Sequence, residues 1–347
     1  MECQLESLRR CLSISTVRKT LSELPKTLDD TYDRILVNIP KEYIREAQCA
    51  IQLLAISYRL LTVDEVAEAV AVDCEHDTFD TEMKLLNPES ILEICGSLVA
   101  LSGYAELLSK LTLMFREELC FAHYSVKEYL LSKRIFEGVS HCFGIADKPA
   151  HQFFARLSLV YLLQFSQQDS VQKEAFQEVK EFPLLDYSAH FWHEHIHASA
   201  IKGCQTQEHN LIRRLFDSSS NCLINCLTVY DPDNPYRRKS FPFPTSLYYS
   251  SLLGLLDVTD WLLEKGPDVN AKGGNYGNAL QAASQGGHEM VVRLLLDKGV
   301  DVNAQGGYYG NALQAASAGG HEVIVRLLLE KGAKVKEERV EYSNHEV

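Results

Sequence analysis

The segment His193–Glu194–His195–Ile196–His197 holds the residue types of a hydrolytic zinc site. On a helix, residues four apart share a face. His193 and His197 could then offer ring nitrogens to one zinc ion, with Glu194 as general base to a metal-bound water. Such a site takes three protein ligands and keeps a fourth position open. Where the longer form of the motif has a glycine and a third histidine, this chain has Ala200 and Gly203. Glu208 follows His197 by only eleven residues, close for a ligand on another helix, and no pattern surrounds Asp217. The plainer reading is a His-rich polar helix face. The chain is read as holding no metal and no cofactor, with a zinc-dependent hydrolase at this segment as the alternative, separable by metal content.

Other constellations are less complete. Cys222 and Cys226 stand four apart with no histidine pair beside them and read as core. His123 and Ser125 lack an acidic partner and an oxyanion loop, and suit a capping and packing role. A phosphate-binding GxxxxGK[ST] loop is missing from the sequence. Gly273–Gly274 and Gly306–Gly307 do not follow a buried strand, as such a loop requires. The ten cysteines are scattered without a CxxC pair, which suits reduced thiols in an intracellular protein. The first ten residues, MECQLESLRR, are charged and form no signal peptide. No uncharged apolar run reaches the roughly 18–20 residues of a membrane helix. A cytoplasmic location is expected. The net charge of -13 argues against nucleic acid or an anionic membrane as partner, since phosphate binding needs clustered Lys and Arg.

Self-similarity organises the C-terminal third. Asn278–Ala279–Leu280–Gln281–Ala282–Ala283–Ser284 recurs 33 residues later as Asn311–Ala312–Leu313–Gln314–Ala315–Ala316–Ser317. The same offset carries Gly287–His288–Glu289 onto Gly320–His321–Glu322, and Arg293–Leu294–Leu295–Leu296 onto Arg326–Leu327–Leu328–Leu329. A degenerate copy lies one period earlier, through Leu247, Gly254, Gly266 and Asn270. Asn278 and Asn311 suit N-caps. The paired alanines keep the first helix of each repeat thin, and Gly286–Gly287 and Gly319–Gly320 suit a tight turn between helices. Gly299 and Gly332 stand where a helix end favours a left-handed residue. Asp301–Val302–Asn303–Ala304 then leads into a hairpin-like finger. This order resembles the ankyrin repeat, with Asn-Ala-Leu-Gln in place of the usual Thr-Pro-Leu-His. Repeats of this kind imply a protein partner. The expected contacts are exposed positions on the fingers and inner helices: Lys272, Asn275, Tyr276, Gln281, Gln285, Gln305, Tyr308, Tyr309 and Gln314. Tyrosine suits contact because it offers large area at low entropy cost.

Ahead of the repeats, Thr27–Leu28–Asp29–Asp30 and Thr62–Val63–Asp64–Glu65 have capping-box spacing and predict helices to about Asn38 and Val72. Apolar periodicity predicts another helix from Glu42 to Ser57 and a third near Pro88 to Cys95. Strand candidates follow at Ser97–Leu101 and Leu119–Ala122, then a helix from Ser125 to Ser132. Three helices and a hairpin suggest a winged helix. Between Leu60 and Ser109, Lys84 is the single Lys or Arg against eleven Asp and Glu, which disfavours a DNA-reading surface.

The order of Leu24–Pro25–Lys26–Thr27–Leu28–Asp29–Asp30–Thr31–Tyr32–Asp33–Arg34–Ile35–Leu36, then Leu61–Thr62–Val63–Asp64–Glu65, then Ala122–His123–Tyr124–Ser125–Val126–Lys127–Glu128–Tyr129–Leu130 resembles fungal NACHT–ankyrin proteins of the STAND class. It is similar to the part after their NTPase domain, where a winged helix of the GPI inositol-deacylase type precedes the repeats. Tyr161–Leu162–Leu163–Gln164–Phe165 and Phe182–Pro183–Leu184–Leu185–Asp186–Tyr187–Ser188–Ala189 look like the helical connector of that family. The resemblance implies the regulatory and sensing half of a switch without its NTPase, and no deacylase activity.

The chain is thus expected to be mainly α: a helical lead-in over 1–41, a winged-helix domain over 42–134, a helical connector over 135–243, three ankyrin repeats over 244–336 and a charged tail over 337–347. The function expected is non-catalytic protein–protein interaction, with no small-molecule substrate, and with nucleic-acid binding by the winged helix as a further, electrostatically disfavoured alternative. Asp231–Pro235 and Phe241–Pro244 read as an irregular linker into the repeats.

Overall fold

Two capping boxes start helices in the computed structural model, which describes residues 13, 27–109, 112–167, 182–199, 206–235 and 242–335. The Thr27 hydroxyl accepts from the Asp30 amide while Asp30 accepts from that of Thr27, opening α1 (Leu28–Val37). After a 3-10 turn at Lys41–Tyr43 comes α2 (Ile44–Ile56), whose Ala47, Ala50, Ile51 and Leu53 are fully buried. The Thr62–Glu65 box links β1 (Leu61–Thr62) to α3 (Val63–Val70). A short ribbon of β2 (Val72–Asp73) and β3 (Thr78–Phe79), not anticipated from the sequence, precedes α4 (Ser90–Cys95). Residues 14–26, Ala200, Gly203 and the tail over 337–347 lie outside the described residues.

The hairpin is longer than the two strand candidates. β4 (Val99–Ser109) and β5 (Thr112–Phe121) pair antiparallel, with Val99 opposite Phe121 and Leu107 opposite Leu113. β1 adds to β5 through Leu61 opposite Leu119, giving the order β1-β5-β4. The stretch from Gly103 onward has neighbouring apolar residues such as Leu107–Leu108, so the period-2 signal of a half-buried strand is absent from its sequence.

His123 then caps α5 (Tyr124–Leu131), its Nδ1 accepting from the Ser125 amide at 3.2 Å. The Ser125 hydroxyl lies 2.6 Å from both His123 Nδ1 and the Tyr32 hydroxyl. These groups close the joint between α1 and α5. After α6 (Lys133–Glu137), α7 (Asp147–Leu163) and α8 (Leu185–Ser199) pack along each other. Phe154 stacks on Tyr187 with centroids 4.8 Å apart.

These elements belong to one compact unit, residues 1–164 and 174–201. The other unit, residues 165–173 and 202–347, contains α9 (Gln207–Leu215) and α10 (Cys222–Val229), followed by three helix pairs. The pairs are α11 (Ser246–Leu252) with α12 (Leu256–Glu264), α13 (Ala279–Gln285) with α14 (Glu289–Asp297), and α15 (Ala312–Ala318) with α16 (Glu322–Glu330). The stretch 135–243, expected as one connector, is divided: α7 and α8 go with the first unit, α9 and α10 with the second. Cys222 and Cys226 are buried on α10.

One polar node ties the first unit together. Arg59 forks onto Glu65, Nη1 to Oε2 at 2.9 Å and Nη2 to Oε1 at 2.6 Å, and reaches Asp186 at 3.2 Å. The Glu65 side chain is 6% exposed and also receives the Thr62 amide at 2.7 Å. Removing one partner of a buried ion pair strands the other charge. Arg59→Met is therefore expected to cost the first unit about 3 kcal/mol, and Arg59→Met with Glu65→Gln less. The two tryptophans, Trp192 on α8 and Trp261 on α12, allow each unit to be followed alone. Urea unfolding by Trp192 fluorescence in a Trp261→Phe background measures both costs, and a double variant as weak as the single would contradict the assignment.

Candidate functional site

The His-rich segment sits on α8, but its three histidines do not act together. His193 is largely buried, with Nδ1 4.0 Å from Glu194 Oε1, and burial followed by the nearby His197 pushes its pKa down to about 4. Glu194 and His197 are exposed. His195 is fully buried on the stripe of Ser188, Trp192 and Ser199. Glu208 and Asp217, weighed as third ligands, belong to the second unit. Glu208 is buried on α9, and Asp217 accepts from the Ser219 amide and hydroxyl. Among the described residues, no three His, Cys, Asp or Glu side chains are grouped to hold a metal ion.

His195 makes a hydrogen-bond chain instead. The Tyr58 amide donates to the Tyr187 hydroxyl at 3.0 Å, and that hydroxyl lies 3.0 Å from His195 Nε2. His195 Nδ1 lies 2.8 Å from His151 Nδ1. The Tyr187 hydroxyl, both His195 ring nitrogens and His151 Nδ1 thus form one continuous chain, in which the tautomers of the two histidines set the donor at each link. The sequence signal was available: His195 falls seven residues after Ser188 and three after Trp192, at core spacing.

The second candidate is the line of fingers. Gly273 pairs with Gly277, and Gly306 with Gly310, closing two short loops. The loops stack: the Tyr308 amide donates to the Asn275 carbonyl at 2.7 Å, and the Tyr276 and Tyr309 rings lie parallel at 6.1 Å. A side chain at Gly307, whose φ is +64°, would run into the Tyr276 carbonyl, so glycine is required there. Tyr308 stands out from the stack, 83% exposed and edge-on to Tyr309 at 5.0 Å.

The expected contact residues divide. Lys272, Asn275, Gln305 and Tyr308 are exposed, and Tyr276, Gln285, Tyr309 and Gln314 half-buried. Asn275 is spoken for, its amide donating to Asp233 Oδ2 at 2.7 Å and its side-chain nitrogen to the Asp233 carbonyl. Gln305 folds back to the Asn303 carbonyl at 2.9 Å. Gln281 corrects the expectation of exposure, being 2% exposed. Its Nε2 lies 3.2 Å from each of the Ala304, Gly306 and Gly310 carbonyls, holding the next finger in place. A buried amide with three acceptors in reach is a clasp.

The segment from Asp231 to Pro235, expected as an irregular linker, is an anchor. Asp231 and Asp233 are 8% and 7% exposed, and burial pushes both carboxyls up. Tyr249 donates to Asp231 at 3.1 Å and Tyr248 to Asp233. Tyr248 lies 33 residues before Gln281 and does the same work, receiving the Tyr276 amide at 3.2 Å. Asp233 likewise takes the Asn275 amide, as the Asn275 carbonyl takes that of Tyr308. The 231–235 loop thus stands in for the finger of an earlier repeat.

Residues 247–339 match the family model "Ankyrin repeats (3 copies)". Over 290 residues the chain is 37% identical to the azaphilone pigments biosynthesis cluster protein L of Monascus ruber, covering 79% of this chain and 59% of that protein. The chain therefore spans 59% of the length of this curated relative. The C-terminal part is an ankyrin region. No helix among the described residues is long and apolar enough to cross a membrane.

Two outcomes follow from these sites. Burial, then His151 and His193, push His195 down to about 3, and His151 is lowered as well. A neutral histidine in the fold becomes charged when the chain unfolds below its ordinary value of 6.5. The unfolded state then binds more protons, so stability is full above pH 6.5 and falls as pH drops from 6.5 towards about 3. Urea midpoints of the Trp192 transition between pH 7 and 4 should show this fall, with a shallower slope in His195→Gln. Separately, Gln281→Glu would set a carboxylate against three carbonyl oxygens. It is expected to cost the second unit about 3 kcal/mol, more than Gln281→Ala, in unfolding followed by Trp261 in a Trp192→Phe background.

Proposed function

We propose that the chain is a non-catalytic interaction module whose ankyrin fingers and inner helices hold a protein partner, with Tyr308 as the leading contact. One observation carries the reading: an 83% exposed tyrosine is mounted on a stacked, glycine-locked finger. Ordering such a side chain on binding costs little, because its base is already fixed. Lys272, exposed on the preceding finger, and Tyr309 complete the same edge.

Residues 42–134 are proposed to form a winged helix. Support comes from α2, α3 and α4 followed by the β4–β5 hairpin, with β1 as third strand. Its acidic surface favours a partner other than nucleic acid. The order of the two capping boxes and the His123-capped helix, each formed as its sequence suggests, supports a likeness to the regulatory and sensing half of NACHT–ankyrin signalling proteins. Partner capture by the repeats would be the input and the winged helix the transmitting element, in the cytoplasm, without cofactor or small-molecule substrate. The relative's name ties that protein to azaphilone pigments biosynthesis, so proteins of such a cluster are the first candidates for the partner.

The test is affinity capture with the full chain, then titration of the protein recovered. Tyr308→Ala and Lys272→Ala should each weaken binding, Tyr308→Ala at least tenfold, or about 1.4 kcal/mol, with helical content unchanged. Undiminished binding by both variants would remove the finger edge from the mechanism. Tightly held zinc lost in His193→Ala would favour the hydrolase reading instead.

A further inference from the structure

We infer that the finger edge takes its partner as an extended, proline-rich segment in the polyproline II conformation, laid into the corner between Tyr308 and Tyr309 and along Tyr276. This rests on the finger edge being the contact surface, and adds the chemistry of what it holds.

The corner selects a narrow chain. The Tyr308 and Tyr309 rings stand at 89° with centroids 5.0 Å apart, forming two walls at a right angle. Tyr308 is 83% exposed and Tyr309 half-buried, so one wall stands free and the other is backed by the stack. The neighbours Gly306, Gly307 and Gly310 carry no side chain to fill it. An α-helix, about 10–12 Å across with its side chains, does not enter such a corner. A β-strand needs backbone partners, and those of the fingers bond one another. Gly273 donates to the Gly277 carbonyl and Gly306 to that of Gly310, each at 2.9 Å, and Tyr308 donates to Asn275 at 2.7 Å. Polyproline II has no internal hydrogen bonds and needs no ladder, so its carbonyls accept from separate donors. The tyrosine hydroxyls and the Lys272 ammonium can supply them.

Spacing agrees with that conformation. The Tyr276 and Tyr309 rings are parallel within 3° at 6.1 Å, a distance set by the bond that locks one finger on the next. Polyproline II rises about 3.1 Å per residue with three residues per turn. Resting on a surface, such a chain touches it along two of its three edges, so its contacts alternate between steps of one residue and two. The two-residue step is about 6.2 Å, and sets successive proline rings against successive tyrosines.

Charge separates a proline from a cation, the other group that aromatic walls attract. Residues 272–277 and 305–310 carry one charge, Lys272, in a chain of net charge -13. Asp268 and Asp301, four residues ahead of each finger, accept from the Asn270 and Asn303 amides. Asp233, which holds the first finger, is 7% exposed and accepts from Tyr248 and Asn275. A corner built for lysine or arginine would set carboxylates beside the rings, whereas these fingers carry an ammonium. That favours a neutral segment with an acidic residue beside its prolines. Both sides are ordered before they meet, the platform by its stack and the ligand by its rings, so little conformational freedom is lost on binding.

The probe is a fluorescently labelled decaproline with a glutamate at its N-terminus, titrated with the full chain by anisotropy. A glycine–serine peptide and an arginine-rich peptide of equal length serve as comparisons. Saturable binding at least tenfold tighter than either is expected. Tyr308→Ala should weaken it at least fivefold, and so should Tyr309→Leu, which keeps apolar bulk but removes a wall. Tyr124→Ala, at a 70% exposed tyrosine of α5, should leave it unchanged. Tyr308 stands outside the parallel pair, so its variant decides the matter if Tyr309→Leu loosens the stack. Decaproline that binds no better than the glycine–serine peptide, or less well than the arginine-rich one, overturns the proposal. So does binding that is equal in Tyr308→Ala. Competition separates the two readings. A captured protein that loses affinity in Tyr308→Ala, while decaproline fails to displace it, keeps the finger edge and rejects the proline-rich segment. A captured protein indifferent to Tyr308→Ala and Lys272→Ala rejects the finger edge, and this inference with it.

Discussion

Backbone lies against backbone between one finger and the next, closer than any side chain would permit, and the ankyrin region depends on that contact. Gly307 makes it possible, because a Cβ there would meet the Tyr276 carbonyl. The Tyr308 amide and the Asn275 carbonyl then fix the register. Once the fingers are spaced by a hydrogen bond and not by side chains, the helices behind them must be thin. Ala282, Ala283, Ala315 and Ala316 are at most 1% exposed, and a larger residue at any of them would push the layers apart. The Gln281 clasp and the stacked tyrosines follow from the same spacing.

The repeats were legible because identity at a fixed offset needs no judgement about propensity. Asn278 and Asn311 cap their helices with Oδ1 2.9 Å from the amides three residues on, as their type and position suggest. The capping boxes at Thr27 and Thr62 were legible for a similar reason, since they are local and reciprocal. Gln281 was misjudged because a glutamine near a surface is ordinarily solvated. Its burial depends on a finger more than twenty residues away. Tyr248 hid in the degenerate repeat, though the offset that aligns it with Gln281 was already in hand. The 231–235 loop looked irregular because its two prolines and two acids were weighed by composition. What holds it is a pair of tyrosine hydroxyls that composition cannot place.

In the first unit the contrast is between neighbours on one helix. His193, His195 and His197 fit a motif by spacing, yet the turn of α8 sends His195 inward to Tyr187 and His151 and leaves His197 outside. Motif spacing reports which residues can share a face; burial decides which face that is. The hairpin of β4 and β5 shows the same limit for strands. Pairing partners for arms of 11 and 10 residues were there, but the sequence carried no alternation to announce them.

The histidines of the turns give the array a direction in time. His288 reaches back to the Leu252 carbonyl and His321 to that of Gln285, and Asn275 reaches back to Asp233. Each turn histidine leaving the ribosome therefore meets, already synthesised, the carbonyl it must bond. The loops closed are short, which keeps the entropy of closure low and the search local. The 231–235 loop is made first and serves as the template on which the first finger sets, so assembly can proceed from the N-terminal end towards the C-terminal end as the chain is produced.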